Sequence, residues 1–186
     1  MKCEVFGAPW TEVGPSECAL AGLAELKGVW KDAASDFYAK VLAARASNGP
    51  KAGPKGIQAF LNREIDRKFA EAGWAGEAGR FRKESTWIRV SFRHQMSCGS
   101  DFLDAIRLCA NEGVTECFIV AADLRFLRVI SPNDAAVLTS FEKLEIQQAQ
   151  LIGVTEAPIF IGRLTPSSRL PGNVSAMIGA PRARGS

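Results

Sequence analysis

Two apolar patterns, one on each side of a helix, constrain the fold more than any other part of this sequence. Residues 87–93 (WIRVSFR) alternate apolar with polar side chains, which is typical of a strand with one buried face. Residues 117–122 (CFIVAA) are apolar throughout, as in a strand that is covered on both faces. Between them Ser100 precedes a helical pattern that ends at Gly113. The order strand, helix, strand predicts a βαβ unit with parallel strands.

The remaining patterns extend this unit into a single α/β domain over residues 1–165. Ser131 as a cap and Pro132 in the first turn predict the start of a further helix. The other predicted elements are an edge strand within residues 1–15, helices over 18–45 and from Ile57 to a stop at Gly73, the continuation of the later helix to about 151, and a strand over 158–162. Residues 166–186 form a Pro-, Gly- and Arg-containing tail whose composition indicates partial disorder.

The charges are segregated along the chain although the net charge is only +3. Residues 51–94 hold ten basic and five acidic residues, and residues 101–157 hold four basic and nine acidic residues. A net charge this small does not demand a polyanionic partner. Basic stretches that converge in the fold would still make a local surface that attracts phosphate.

The five cysteines are odd in number and include no Cys-x-x-Cys pair, which argues against a disulfide scaffold and against a zinc site. Cys109 and Cys117 lie within apolar patterns and are interpreted as small core residues. This usage predicts a reducing compartment, and we expect a cytoplasmic protein. No apolar run reaches the roughly 18 residues of a membrane span, and no signal peptide is predicted, so a membrane is not an expected partner.

The order of these elements resembles that of the BglII-type restriction endonucleases of the PD-(D/E)XK nuclease superfamily. The short phrases that carry the resemblance lie at residues 69–74 (FAEAGW), 101–103 (DFL), 113–120 (GVTECFIV) and 157–162 (APIFIG). The resemblance implies a restriction-endonuclease-like domain with a central mixed sheet flanked by helices. It also implies double-stranded DNA as partner, a homodimer that reads two-fold DNA sites, and Mg²⁺ held beside the scissile phosphate by two acidic groups.

The motif positions of that family carry the wrong residues for a metal site in this sequence. If Gln95 is aligned with the family's Gln, then Arg93 falls on the metal-binding Glu and Glu84 on the upstream acid. If the strand alternation decides the alignment, Ser91 and Arg93 replace the Glu and the Gln. Neither alignment supplies two carboxylates. An arginine in such a place repels a divalent cation and attracts a phosphate.

The first functional hypothesis is therefore a double-stranded DNA-binding protein with impaired or lost Mg²⁺-dependent cleavage. No cofactor is predicted with certainty, the metal ligands are unknown, and Mg²⁺ is expected only if nuclease activity is retained. Residues 79–83 (GRFRK) are interpreted as a basic loop that follows the DNA backbone. The predicted DNA contacts are Arg80, Arg82, Lys83, Arg89, Arg93 and His94.

Two alternatives remain open from the sequence. The first is an active Mg²⁺-dependent type II restriction endonuclease whose acids come from Glu64, Glu71 or Asp101. The second is a cysteine-dependent enzyme that acts on a small molecule. Cys98 lies just before a predicted helix whose N-terminus would lower a thiol pKa, and His94 is close enough in sequence to serve as its base.

Overall fold

Six strands make up the sheet in the computed structural model of this chain, which describes residues 1–7, 9–49, 52–54, 56–131 and 134–166. The strands are β1 (Lys2–Phe6), β2 (Ala75–Glu77), β3 (Arg80–Lys83), β4 (Thr86–Ser91), β5 (Glu116–Ala122) and β6 (Ile159–Thr165). Their order across the sheet is β1-β6-β5-β4-β3-β2. Neighbours among β4, β5 and β6 are parallel, and all other neighbours are antiparallel. The predicted mixed sheet and the edge strand near the N-terminus are confirmed.

Six α-helices cover the two faces of this sheet. They are α1 (Glu17–Ala24), α2 (Val29–Asn48), α3 (Gln58–Glu71), α4 (Cys98–Asn111), α5 (Leu124–Ile130) and α6 (Phe141–Ala149). Helices α1, α2, α3 and α5 pack against one face, and α4 and α6 pack against the other. The middle strands are buried on both sides as a result. No helix of the described residues is both long and apolar enough to cross a membrane.

The central βαβ unit consists of β4, α4 and β5, and its parallel register pairs Trp87 with Cys117 and Ser91 with Ala121. Side chains alternate between the two faces because successive residues of a strand point in opposite directions. Ile88 and Val90 join the core under α1 to α3, whereas Trp87 joins the core under α4 and α6. The unit predicted from the two apolar patterns is therefore confirmed.

The prediction that β4 has a solvated polar face is wrong. All six residues of β4 are buried, because α4 lies over the face that carries Arg89 and Ser91. Arg89 is 2% exposed and Ser91 is 0% exposed. The alternation identified the strand and its two faces correctly, but alternation does not report whether a helix covers the polar one.

The long helix predicted over residues 131–151 is also wrong. After β5 the Asp123 side chain accepts a hydrogen bond from the Phe126 amide at 2.7 Å and caps α5, which ends at Ile130. A short 3₁₀ turn (Ala135–Val137) follows before α6 begins at Phe141. Ser131 therefore follows a helix instead of capping one, and Pro132 lies outside the described residues.

Two smaller corrections concern local backbone conformation. The helix predicted over residues 18–45 is divided into α1 and α2, and Gly28 with φ of 90° lies at the division. The basic loop predicted over residues 79–83 is largely the strand β3. Phe81 is buried in it, so Arg80 and Arg82 share the opposite face.

The tight turn between β2 and β3 sets the position of the β2–β3 hairpin beside β4. The turn between β2 and β3 has positive φ at Ala78 (53°) and Gly79 (74°). A Cβ at Gly79 would lie 2.3 Å from the Val90 carbonyl oxygen, so only glycine fits there. This close approach lets the Val90 amide donate to the Gly79 carbonyl at 2.8 Å. It also places the Ala78 carbonyl next to β4.

Candidate nucleic-acid interface

A buried ion pair joins the middle of β4 to the first turn of α4. The Arg89 Nε lies 3.2 Å from Asp101 Oδ1, and the two side chains are 2% and 0% exposed. The Arg89 Nη1 donates to the Ala78 carbonyl at 2.7 Å. Burial lowers the pKa of Arg89 from its ordinary value, and the charge of Asp101 acts against that shift. The carboxylate thus compensates a guanidinium that has lost its water.

Asp101 also faces a second guanidinium, because Arg93 Nη1 lies 3.5 Å from the same Oδ1 atom. The two ion pairs of Asp101, with Arg89 and with Arg93, are not aligned as hydrogen bonds. Among the described residues neither oxygen of Asp101 has a hydrogen-bond partner, and the same is true of Arg89 Nε and Ser91 Oγ. The cluster is therefore stabilised by charge more than by directed hydrogen bonds.

Arg80 extends the same charged cluster toward solvent. It lies opposite Arg89 in the β3–β4 register, and its Nη2 is 3.4 Å from Asp104 Oδ2. The Arg80 side chain is 49% exposed. Its positive charge and that of Arg93 both contribute to the lowered pKa of Arg89. Three arginines and two carboxylates thus converge near the carboxyl end of β4.

The chain that leaves β4 presents exposed polar side chains next to this cluster. Arg93 (45% exposed side chain), His94 and Gln95 lie between β4 and α4. The His94 Nδ1 accepts a hydrogen bond from the Met96 amide at 3.3 Å, so its Nε2 is the nitrogen left for another partner. The Thr139 amide donates to the Arg93 carbonyl at 2.8 Å and anchors this segment. We call Arg80, Arg93, His94 and Gln95 the carboxyl-end surface.

The structure places Glu84 away from the carboxyl-end surface. Glu84 occupies the turn between β3 and β4, before β4 begins, with φ of 53°. Arg93 and Gln95 follow the other end of β4, and the six residues of β4 alone span roughly 20 Å at about 3.3 Å per residue. The structure therefore does not bring Glu84 together with Arg93 and Gln95.

Three of the predicted DNA contacts are engaged elsewhere. Arg82 Nη1 lies 3.2 Å from Glu112 Oε2, and Lys83 Nζ donates to the Ala72 carbonyl at 2.8 Å. Both lie at the end of β3 that leads into the turn at Glu84. Arg89 is buried under α4 and has no surface for a phosphate in this arrangement. Of the six basic candidates the structure brings Arg80, Arg93 and His94 together at the surface.

The three acidic residues considered as alternative metal ligands lie in different parts of the structure. Glu64 and Glu71 both pair with Arg67 along α3. Asp101 does reach the site, where it lies between Arg89 and Arg93. Sequence reasoning missed Asp104 and Asp66, whose Oδ1 accepts from the Gly79 amide at 3.1 Å. The three-residue spacing of Asp101 and Asp104 puts both on one side of a helix, and this spacing could have revealed Asp104.

The residues at this site do not fit the Mg²⁺ that the resembled family uses. Magnesium is held by oxygen ligands, above all carboxylates. Here the one buried carboxylate, Asp101, faces two arginines, and their positive charge opposes a divalent cation. No group of three His, Cys, Asp or Glu side chains that could hold a metal occurs within the part of the chain that the structure describes.

Cys98 does not have the activated thiol that its sequence position suggested. It is the first residue of α4 and is 4% exposed. Burial, with a smaller contribution from the charge of Asp101, raises the pKa of Cys98 to about 11. The expected lowering of the Cys98 pKa is therefore wrong. The thiol is protonated at neutral pH, which argues against nucleophilic catalysis by Cys98.

Comparison with known proteins identifies the architecture. A solved structure titled "Crystal structure of free BglII" matches with a TM-score of 0.53 over 90% of this chain and 81% of that chain. The fold is restriction-endonuclease-like. The sequence identity is 13%, so the likeness concerns the fold alone. No family model matches the sequence, and no curated protein matches it.

Removal of one partner of the buried pair should greatly reduce the stability of the fold. Asp101→Asn keeps the side-chain shape but leaves the Arg89 charge buried without its counter-ion. We expect the free energy of unfolding to fall by about 3–5 kcal/mol, as when a buried ion pair loses one member. Urea denaturation followed by circular dichroism measures this loss.

Asp104→Asn is the matched control, because it makes the same chemical change one turn along α4 in an exposed pair with Arg80. We expect it to cost at most about 1 kcal/mol. Equal small losses for the two variants would contradict the assignment of Asp101 as the counter-ion of Arg89.

Proposed function

We propose that this protein binds double-stranded DNA through the carboxyl-end surface and that it does not cleave DNA by the metal-dependent route of the family it resembles. The observation that supports the proposal is the presence of Arg89 and Arg93 around a single buried carboxylate at the centre of a restriction-endonuclease-like fold. Arg93 offers a half-exposed guanidinium there, and a guanidinium is suited to bidentate contact with a phosphate.

The charges around the surface support a phosphate more than a cation. Arg80, Arg89 and Arg93 contribute three positive charges, and Asp101 and Asp104 contribute two negative ones. His94 adds an exposed imidazole whose Nε2 is available for a hydrogen bond to a phosphate. Gln95 offers an amide to a base edge or a phosphate. Asp66, whose Oδ1 accepts from the Gly79 amide, adds a third carboxylate near Arg89. The support for a phosphate therefore comes from the exposed guanidinium groups of Arg80 and Arg93 and not from an excess of positive charge.

Within this proposal Arg89 is a positioning residue and not a DNA contact. It holds Asp101, and Asp101 in turn lies 3.5 Å from the Arg93 guanidinium. A phosphate would approach the exposed side of Arg93 while Asp101 keeps its buried side in place. The proposal retains a homodimer acting on two-fold DNA sites and a cytoplasmic location, supported by the family resemblance and by the cysteine usage respectively.

Loss of the Arg93 charge should weaken binding to a duplex and reduce its salt dependence. For Arg93→Gln we expect the slope of log K against log salt to become less steep by about 0.9, which is the contribution of one phosphate contact on B-form DNA. Fluorescence anisotropy of a labelled duplex, titrated at several salt concentrations, measures both the affinity and the slope.

Arg107→Gln provides the control, since it removes the same charge from an exposed arginine near the other end of α4, where it pairs with Glu112. This variant should bind with the slope of the unaltered protein. If both variants change the slope equally, then binding reflects overall charge and the carboxyl-end surface is not the interface.

An active Mg²⁺-dependent endonuclease is the second candidate, because Asp101 does lie in the site. Since Arg89 and Arg93 neutralise that carboxylate, we expect unmethylated supercoiled plasmid to remain intact with Mg²⁺ or Mn²⁺, as judged on agarose gels. Discrete fragments that disappear when EDTA is present would favour this second candidate over loss of cleavage.

A further inference from the structure

Two thiols that lie far from the carboxyl-end surface are in van der Waals contact. Cys109 is in the last turn of α4, and Cys117 is the second residue of β5. Their Sγ atoms are 3.6 Å apart. Cys117 is fully buried, whereas Cys109 is only partly buried and is therefore accessible to a small solute. The DNA-binding proposal uses neither residue.

The packing of α4 on β5 brings the pair together. Cys117 points to the α4 side of the sheet, and its Sγ lies 3.6 Å from the Ala105 carbonyl oxygen. Ala105 and Cys109 are one helical turn apart on the same side of α4. The sequence patterns placed both cysteines in the core separately, and they did not indicate that the two sulfur atoms meet.

We propose that Cys109 and Cys117 form an oxidation site, which a peroxide converts into an intramolecular disulfide that links α4 to β5. In the first step the Cys109 thiolate attacks one peroxide oxygen, the O–O bond breaks, and a sulfenic acid and a hydroxide or alkoxide form. In the second step the Cys117 sulfur attacks the Cys109 sulfur, and the sulfenic hydroxyl leaves as water with the Cys117 proton. With hydrogen peroxide, two thiols and one peroxide give one disulfide and two waters.

The local environment decides which cysteine reacts first. The hydrogen bond between the two thiols lowers the pKa of Cys109 from its ordinary value. The same hydrogen bond together with burial raises the pKa of Cys117. Cys109 is the more accessible thiol and would react first, and the Cys117 sulfur, 3.6 Å away, is placed to resolve the sulfenic acid.

The movement required for the bond is small. A disulfide has a sulfur–sulfur distance of about 2.05 Å, so the two atoms must approach each other by about 1.5 Å. Cys109 lies at the end of α4, where the helix gives way to the turn at Gly113. Reversible oxidation of a thiol pair is compatible with a reducing compartment, in which permanent disulfides are rare.

The positions of the arginines make the site simple to assay in the full-length folded protein. Trypsin cuts after Arg107 and Arg125, with no lysine or arginine between them, so both cysteines fall in the single peptide 108–125. After treatment with hydrogen peroxide, unfolding and alkylation of free thiols, we expect this peptide to carry no alkyl group and to weigh two hydrogens less than its reduced form. Cleavage after Glu112 and Glu116 should leave its outer fragments joined, and dithiothreitol should separate them.

Matched variants distinguish this pair from general oxidation. Cys18→Ser should leave the cross-link unchanged, because Cys18 lies in α1 on the opposite face of the sheet. Cys109→Ser should abolish it and leave Cys117 open to alkylation after unfolding. Recovery of wild-type peptide 108–125 with two alkyl groups, with Cys109 halted as a sulfinic acid, or with Cys109 joined to another cysteine would overturn the proposal. These measurements do not depend on DNA binding, so either proposal can fail without the other.

Discussion

The buried pair of Arg89 and Asp101 is the interaction on which the arrangement of this site depends. A guanidinium in the middle of a fully buried strand loses its hydration, and that loss is tolerable only when a counter-ion is buried with it. Asp101 supplies the counter-ion from the first turn of α4. The pair therefore ties the start of α4 to β4 and sets where the connecting segment, with Arg93 and His94, reaches the surface.

The same ion pair is the basis of the proposal that this site does not hold a metal ion. A metal-dependent site needs carboxylates that are free to hold a cation. In this chain the buried carboxylate is shared by Arg89 and Arg93, so its charge is already compensated. The half-exposed face of Arg93 is the part that can still accept a ligand, and the ligand it favours is an anion. We therefore propose that this site binds a phosphate and does not activate water beside one.

The sequence alone predicts most of this fold, because apolar periodicity is a local property. The βαβ unit, α3 and the edge strand followed from it directly. The predictions were wrong where contacts between distant elements determine which side chains are buried and where a helix ends. Alternation in β4 could not show that α4 covers Arg89, and the Ser131 capping pattern hid a helix that ends there. At the site, the sequence drew attention to Arg93 and His94, and both side chains are exposed in the structure. The role of Asp101 was missed because an acidic residue is most often a surface group, and its partner was expected in solvent.

The most direct test of this account is a titration of the ¹⁵N-labelled protein with Mn²⁺, followed by a titration with duplex DNA, both observed by NMR. Bound Mn²⁺ broadens nearby amide signals, so a metal site would be seen at once around Ser91 and Asp101. The account predicts no selective broadening there, and it predicts that the duplex shifts the amide signals of Arg93, His94 and Gln95. Selective loss of the Ser91 and Asp101 signals at low Mn²⁺ would contradict it.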